Sequence, residues 1–419
     1  MSVGTISFIQ LLLAPPPIAD PTVPVYTFDN PNAYDTSFAD WFGRSVGVCA
    51  SYAIVGADGE DDAGGTLSGK AYIYNNATGA LLWTLDNPNA YGTSAGNSFG
   101  FSVAISESYA IVGAYSEDDA GGGDSGKAYI FNPTTGALLW TLDNPNAYGT
   151  SAMDFFGYSV AISGSYAIVG AHNEDEGGLS SGKAYIFNPA TGALLWTLNN
   201  PNAYSTPVND RFGWSVAISE SYAIVGARDE DDAGGGSSGK AYIFDNATGA
   251  LLWTLNNPNA YSTSANDFFG YSVGISETYA IVGAYTEDDA GGTLSGKAYI
   301  FNPATGGLLW TLNDPNAYDT SATDRFGYSV AISESYAIVG AYTEDDAGGT
   351  DSGKAYIFNP ATGGLLWTLD NPNAYDTSSY DYFGYSVGIS DSYAIVGAYN
   401  EDDAGGSESG KAYMYMLSI

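Results

Sequence analysis

The sequence predicts an all-β protein, a seven-bladed β-propeller with four antiparallel strands in each blade. Three observations carry this reading. A Phe-Gly pair recurs seven times, with its glycine at Gly43, Gly100, Gly157, Gly213, Gly270, Gly327 and Gly384. Each period holds four short apolar runs bounded by turn residues. The last period lacks its fourth run, and the segment before the first period supplies one. Self-similarity at a fixed period is the mark of a repeat architecture.

The interval between these glycines is 57 residues, except for 56 between Gly157 and Gly213. The lost residue falls in the loop HNEDEGGLSSGK, where a deletion leaves the strands untouched. Within one repeat the runs FSVAI, YAIVGA, KAYIF and LLWTL are of strand length and rich in β-branched and aromatic residues. The links S-E-S or S-G-S, and N-P-T-T-G, are tight turns, with Gly136 placed for a positive φ. No stretch holds a helical period.

In the first strand Phe101, Val103 and Ile105 face one way, and Gly100, Ser102 and Ala104 the other. The bulky face of one blade is therefore expected on the flat face of the next. Trp83, Trp140, Trp196, Trp253, Trp310 and Trp367 all fall on the fourth, outermost strand and read as glue between blades. A buried ring of this size removes about 150–250 Å² from water.

The seventh repeat stops at KAYMYMLSI, without an LLWTL strand. VPVYTFDNPNAYDTSFADWFG aligns with LLWTLDNPNAYGTSAMDFFG. Val23 to Phe28 is thus expected to complete the last blade beside Tyr413 to Leu417, which joins the ends and removes an open edge. A linear solenoid would need distinct caps instead. This divides the chain into an apolar, proline-rich segment, 1–22, and one propeller, 23–419. The run Val3 to Ala14 lacks the basic flank of a secretory leader and reads as a weak signal or an arm. It is too short to span a bilayer.

Acidic residues number 47 against 11 Lys plus Arg, a formal net charge of −36. Such a field repels nucleic acid and anionic membranes and draws cations and basic partners. It also suits a salty medium, where like-charge repulsion is screened. The single cysteine, Cys49, excludes an internal disulfide.

In a four-stranded blade the 2–3 and 4–1 loops share one face. The 2–3 loops carry seven acidic triplets, whose first and third members are the candidate metal ligands: Glu60 and Asp62, Glu117 and Asp119, Glu174 and Glu176, Glu230 and Asp232, Glu287 and Asp289, Glu344 and Asp346, Glu401 and Asp403. The 4–1 loops add Asp40, Asp154, Asp210, Asp267, Asp324 and Asp381, with Asn97 once in that place. Calcium, which takes six to eight oxygens in flexible geometry, is the cation matched to such a crown. The other reading is solvated charge with capping inside each loop, since the alternating D-x-D-x-D-G spacing of dedicated calcium loops is absent.

Each lysine stands in S-G-K-A-Y just after its acidic loop and is expected to pair with that loop's carboxylate or with the aspartate before Phe-Gly. His172 takes the place held by Tyr115 and Arg228 and reads as an exposed substitute. A lone histidine makes no ordinary zinc site. There is no Ser-His-Asp set, no Cys-His pair and no phosphate-cradling loop. The blades are close to identical, and catalysis needs unlike groups held together. The breaks in symmetry are Arg44, Arg211, Arg228, Arg325, His172 and Trp214.

The Phe-Gly before the first strand and the A-I-V-G-A of the second, as at Ala110 to Ala114, resemble the FG-GAP repeat, the propeller repeat of integrin α-chains and many bacterial surface proteins. The resemblance covers residues 23 to 419 and implies adhesion to proteins or glycans. The family's calcium loop lies in the 1–2 turn, which is too short here, so it is not carried over. TGALLWTL also resembles the tryptophan-docking repeat of quinoprotein dehydrogenases, which implies a ring tying blades together; the cofactor-binding residues of those enzymes are not recognisable. The expected function is a non-enzymatic surface or extracellular module that binds protein or glycan. The alternative is a structural subunit that self-associates into a particle or appendage. An enzyme acting on a glycan or alcohol would need an asymmetric polar cluster near the axis.

Overall fold

The four runs of each repeat fold into a four-stranded antiparallel sheet, seven times over, in a computed structural model. It describes residues 20–31, 39–61, 65–89, 95–118, 122–146, 152–176, 178–202, 208–231, 235–259, 265–288, 292–315, 322–345, 349–373, 379–402 and 407–417. The first blade takes Ser45–Val48, Tyr52–Ala57, Lys70–Asn75 and Leu81–Asp86, in that order from the axis outward. Its register sets Ser45 opposite Gly56 and Lys70 opposite Asp86. Among the described residues no helix is long and apolar enough to cross a membrane.

The seventh blade is closed by the start of the chain. Tyr26–Asp29 pairs antiparallel with Lys411–Met416, with Tyr26 opposite Met414 and Asp29 opposite Lys411. The strand sits a little later than Val23 to Phe28, because Asp29 faces Lys411 as Asp86 faces Lys70.

The second and third strands are buried on both faces, and the core lies between blades. Ile54, Ile73 and Leu85 of the first blade pack with Phe99, Val103, Ile105, Tyr129 and Phe131 of the second. The last interface repeats the pattern: Phe28, Ile395 and Met414 meet Phe42, Val55, Tyr72 and Tyr74. Burying one such side chain stabilises by about 1.5–3 kcal/mol.

The Phe-Gly motif is where backbones meet. A Cβ at Gly56 would lie 2.0 Å from the Gly100 carbonyl oxygen, and one at Gly100 would lie 2.2 Å from the Lys70 carbonyl oxygen. Glycine is the residue that allows this approach. Beside it, Ser45 Oγ donates to the Gly100 carbonyl at 2.7 Å.

On the outside, Trp83 Nε1 donates to the Pro133 carbonyl of the next blade at 3.0 Å, and its ring lies on Gly136. In the closing strand Tyr26 takes that position, lying on Gly79 and donating to the Ala77 carbonyl at 2.9 Å. These rings bridge blades yet keep one face to solvent, with Trp140, Trp253 and Trp310 each 38% exposed.

Candidate functional site at the mouth of the channel

The acidic triplets separate into different jobs. Glu60 has no solvent exposure and accepts from Lys70 Nζ at 2.7 Å and Tyr72 Oη at 2.6 Å. Glu230, Glu287, Glu344 and Glu401 do the same with Lys240 and Tyr242, Lys297 and Tyr299, Lys354 and Tyr356, Lys411 and Tyr413. Glu174 holds Lys183 and Tyr185. Glu117 holds Tyr129 at 2.7 Å, with Lys127 at 3.5 Å. Burial pushes Glu60 and Glu344 up to about 7, although the lysine and tyrosine bonds pull the other way.

The middle acid caps its own loop. Asp61 Oδ1 accepts from Leu67 N at 2.8 Å, and Asp118, Asp175, Asp231, Asp288, Asp345 and Asp402 act alike. Of the third acids, Glu176 pairs with Lys183. Asp62, Asp119, Asp232, Asp289, Asp346 and Asp403 lie outside the described residues. The lysines therefore meet the glutamate of their own loop, and the first acid of each triplet is an interior group rather than part of a solvated crown.

The aspartates before Phe-Gly are buried as well. Asp154 accepts from Asn144 at 2.8 Å and Asn146 at 2.5 Å, and burial pushes it up to about 6. Asp267, held by Asn257 and Asn259, is pushed up to about 7 by burial. Before the sixth blade Asp314 stands where the other repeats have asparagine. Carboxylate oxygens of Asp314, Asp324 and Glu344 then lie within 4.8 Å of one another. The sequence carries the signal as N-D-P-N among N-N-P-N and D-N-P-N, outside the acidic triplets.

The irregular residues gather elsewhere, around the channel mouth on the face of the 2–3 and 4–1 loops. Phe101, Tyr158, Trp214, Tyr271, Tyr328 and Tyr385 follow one another with ring centroids 4.9, 4.6, 5.8, 4.8 and 4.9 Å apart. Arg44 closes the circle, its guanidinium 4.9 Å from the Phe101 ring. They ring a cavity of about 240 Å³ walled below by serines and valines of the first strands. A second tier from the ends of the second strands comprises Asp58, Tyr115, His172, Arg228, Tyr285, Tyr342 and Tyr399.

A third tier precedes each Phe-Gly. Trp41, Phe155, Arg211, Phe268, Arg325 and Tyr382 all have φ between 52° and 58°. Bulky side chains rarely adopt this left-handed conformation, and strain of this kind clusters at binding sites.

His172 is not the exposed substitute expected from its position. It is 5% exposed, wedged between Tyr158 at 4.3 Å and Trp214 at 4.9 Å. Burial, then Arg211 and Arg228, push it down to about 3, so it is neutral at pH 7. Arg228 lies 3.4 Å from the Trp214 centroid, a cation–π contact. Arg44 pairs with buried Asp58 at 2.8 Å. Sequence reasoning singles out Arg44 but misses Asp58, whose signal is an aspartate where other repeats carry tyrosine, histidine or arginine.

The far end of the channel is built by the 1–2 turns. Glu277 accepts from Glu220 N at 2.8 Å and Ser221 N at 3.0 Å, and Glu334 accepts from Glu277 N at 2.8 Å. Each carboxylate thus clamps the preceding blade's turn. Cys49 sits in the equivalent turn, half-buried, with burial raising its thiol to about 12.

Fold and site together define a propeller scaffold with an aromatic mouth. The FG-GAP repeat family matches residues 32–74, 89–131, 146–187, 206–244, 260–301, 316–358 and 373–415, and the chain belongs to that family. No curated protein matches it by sequence. Among solved structures, the crystal structure of BamB from Moraxella catarrhalis is similar at 15% identity and a TM-score of 0.42, over 89% of this chain and 84% of that one; so distant a likeness carries no functional reading.

Proposed function

We propose that the chain is a binding module of a cell or particle surface, and that its partner, protein or glycan, docks on the aromatic mouth. One observation carries this. All eleven cationic side chains are accounted for: the seven lysines are held by the interior glutamates, and the four arginines all stand at the mouth. The molecule thus gathers its four arginines, its tryptophan-centred ring stack and its broken symmetry in one place. Tryptophan, tyrosine and arginine are the residues that dominate binding hot spots. The test is an array of proteins and glycans probed with the intact chain and with a Trp214→Ala, Arg228→Ala double variant. Loss of binding in the variant supports the reading; unchanged binding overturns it.

A second reading, self-assembly, is favoured by the rim. The outer strand of each of the first six blades is hydrogen-bonded on one side only and presents an exposed leucine pair, such as Leu81 and Leu82 or Leu138 and Leu139. Soluble proteins usually blunt such edges with charge, and none lies between Leu81 and Leu85. The occupant proposed is the rim of a second copy. Sedimentation over a range of concentrations tests it: lysine at all six of Leu82, Leu139, Leu195, Leu252, Leu309 and Leu366 should leave only monomer, and a monomeric parent would overturn it.

A further inference from the structure

The four arginines of the mouth are not equivalent. Arg44 has Asp58 at 2.8 Å, and Arg211 and Arg228 share Asp229 at 3.3 and 3.1 Å. Among the described residues, Arg325 has no carboxylate within ion-pair distance. Its guanidinium donates to the Tyr342 hydroxyl and lies 5.4 Å from the centroid of that ring. It also lines a cavity of about 430 Å³ between the sixth and seventh blades.

The walls of this cavity are Tyr328, Tyr342, Tyr382, Tyr385 and Tyr399, with Thr343 and Asp351 at the side. The volume falls in the usual range for small-molecule sites, about 300–1,000 Å³. Its lining is particular to this interface because the repeats differ there. Blades 1, 2, 3 and 5 place Trp41, Ser98, Phe155 and Phe268 where Arg325 stands. Arg211, the other arginine at that position, is engaged with Asp229.

We infer that this cavity is a binding site for a carboxylate-bearing sugar, a hexuronate unit, with Arg325 receiving the carboxylate. A guanidinium is a planar fork that fits a carboxylate through two parallel hydrogen bonds. It is the single cation among the lining residues and has Asp351 beside it, so a monoanion is favoured over a doubly charged phosphate. Tyrosine hydroxyls both donate and accept, as sugar hydroxyls do, and Asp351 adds an acceptor. The ring faces supply rigid apolar surface for the C–H face of a pyranose. A peptide carboxylate offers no pyranose face for those rings to cover. The backbone of Arg325 is pinned on both sides. Its φ is 58°, its N–H donates to the Leu294 carbonyl at 3.2 Å, and its carbonyl accepts from Tyr328 N at 3.1 Å.

The inference rests on the mouth being a binding face and names the ligand of one part of it. The experiment is calorimetric titration of the full chain with sodium glucuronate, glucose, and an acetylated dipeptide ending in glutamate. Saturable binding of glucuronate is expected, with glucose at least tenfold weaker and the peptide weaker still. Arg325→Gln should weaken glucuronate at least tenfold, while Arg211→Gln leaves it unchanged; Arg325→Lys, which keeps the charge without the fork, should fall between. Absence of saturable glucuronate binding, equal binding of glucose, preference for the peptide, or indifference to Arg325→Gln each overturns the inference. If array binding by the mouth persists in that case, the broader proposal stands without it.

Discussion

Ser386 Oγ donates to the carbonyl of Gly43 at 2.7 Å, across 343 residues of sequence. The same bond joins Ser45 to Gly100, Ser215 to Gly270 and Ser329 to Gly384 at 2.7–2.8 Å. The junction that closes the ring is therefore built like the internal ones. Ser386→Ala should cost about 1 kcal/mol, the usual worth of one such bond, and Ser215→Ala the same to within about 0.5 kcal/mol. Denaturant unfolding of both variants checks this. A much larger loss for Ser386→Ala would mark closure as the weak point of the ring.

Stability should fall as pH rises from about 4.5 to 7. Burial raises Glu60 and Glu344 from 4.5 to about 7 and Asp267 from 3.8 to about 7. A carboxyl whose folded pKa lies above its unfolded value lends stability that is complete below the unfolded value. That stability is lost as pH rises through the folded value. Relief of repulsion in a chain of net charge −36 acts in the same direction. Thermal unfolding at fixed ionic strength should thus show a higher midpoint at pH 5 than at pH 8. The opposite order would mean that the Glu–Lys pairs are ionised and stabilise as such.

The ring was legible because its causes are local and repeated. The Phe-Gly spacing, the turn residues around YAIVGA and KAYIF, and the displaced strand at Tyr26 each reflect constraints that seven copies restate. The interior role of Glu60 was not legible. An E-D-D triplet in a glycine-rich loop reads as solvated acid, and its burial depends on Lys70 and Tyr72 from the following strand, whose pairing folds the loop inward. His172 was misplaced for a similar reason: its burial comes from Tyr158 and Trp214, which a loop position does not reveal. The pocket at Arg325 depends on a difference between neighbouring repeats, not on any motif.

Asp314→Asn should stabilise the protein. In other repeats the asparagine at this position donates to the following aspartate, as Asn257 does to Asp267 at 2.8 Å. Asp314 instead adds a third carboxylate to Asp324 and Glu344. Like charges at this range disfavour one another, so restoring the amide should gain about 1 kcal/mol and raise the unfolding midpoint by roughly 2 °C. The reciprocal change, Asn257→Asp, should lower it by a similar amount. A destabilised Asp314→Asn would mean that the trio stabilises the fold, through a shared proton or a bound cation that offsets the repulsion.

Calcium binding by the 2–3 loops is narrowed by the same geometry. The first acid of each triplet serves a lysine and a tyrosine, and the second serves the loop backbone, as Asp61 does for Leu67. If the 2–3 loops bind calcium, the third acids, Asp62, Asp119, Asp232, Asp289, Asp346 and Asp403, are the remaining candidate ligands. One carboxylate with loop carbonyls is a low-charge ligand set, and affinity in extracellular modules of that kind is about 0.1–1 mM. Calorimetry on chelator-treated protein should give saturable calcium binding in that range, and magnesium, which dehydrates reluctantly, should bind more weakly. The gain in thermal stability should be small, because the interior glutamates are already satisfied. Micromolar affinity with a large gain would show that the glutamates leave their lysines to bind the ion. Equal, salt-sensitive binding of magnesium would reduce the loops to a diffuse acidic surface.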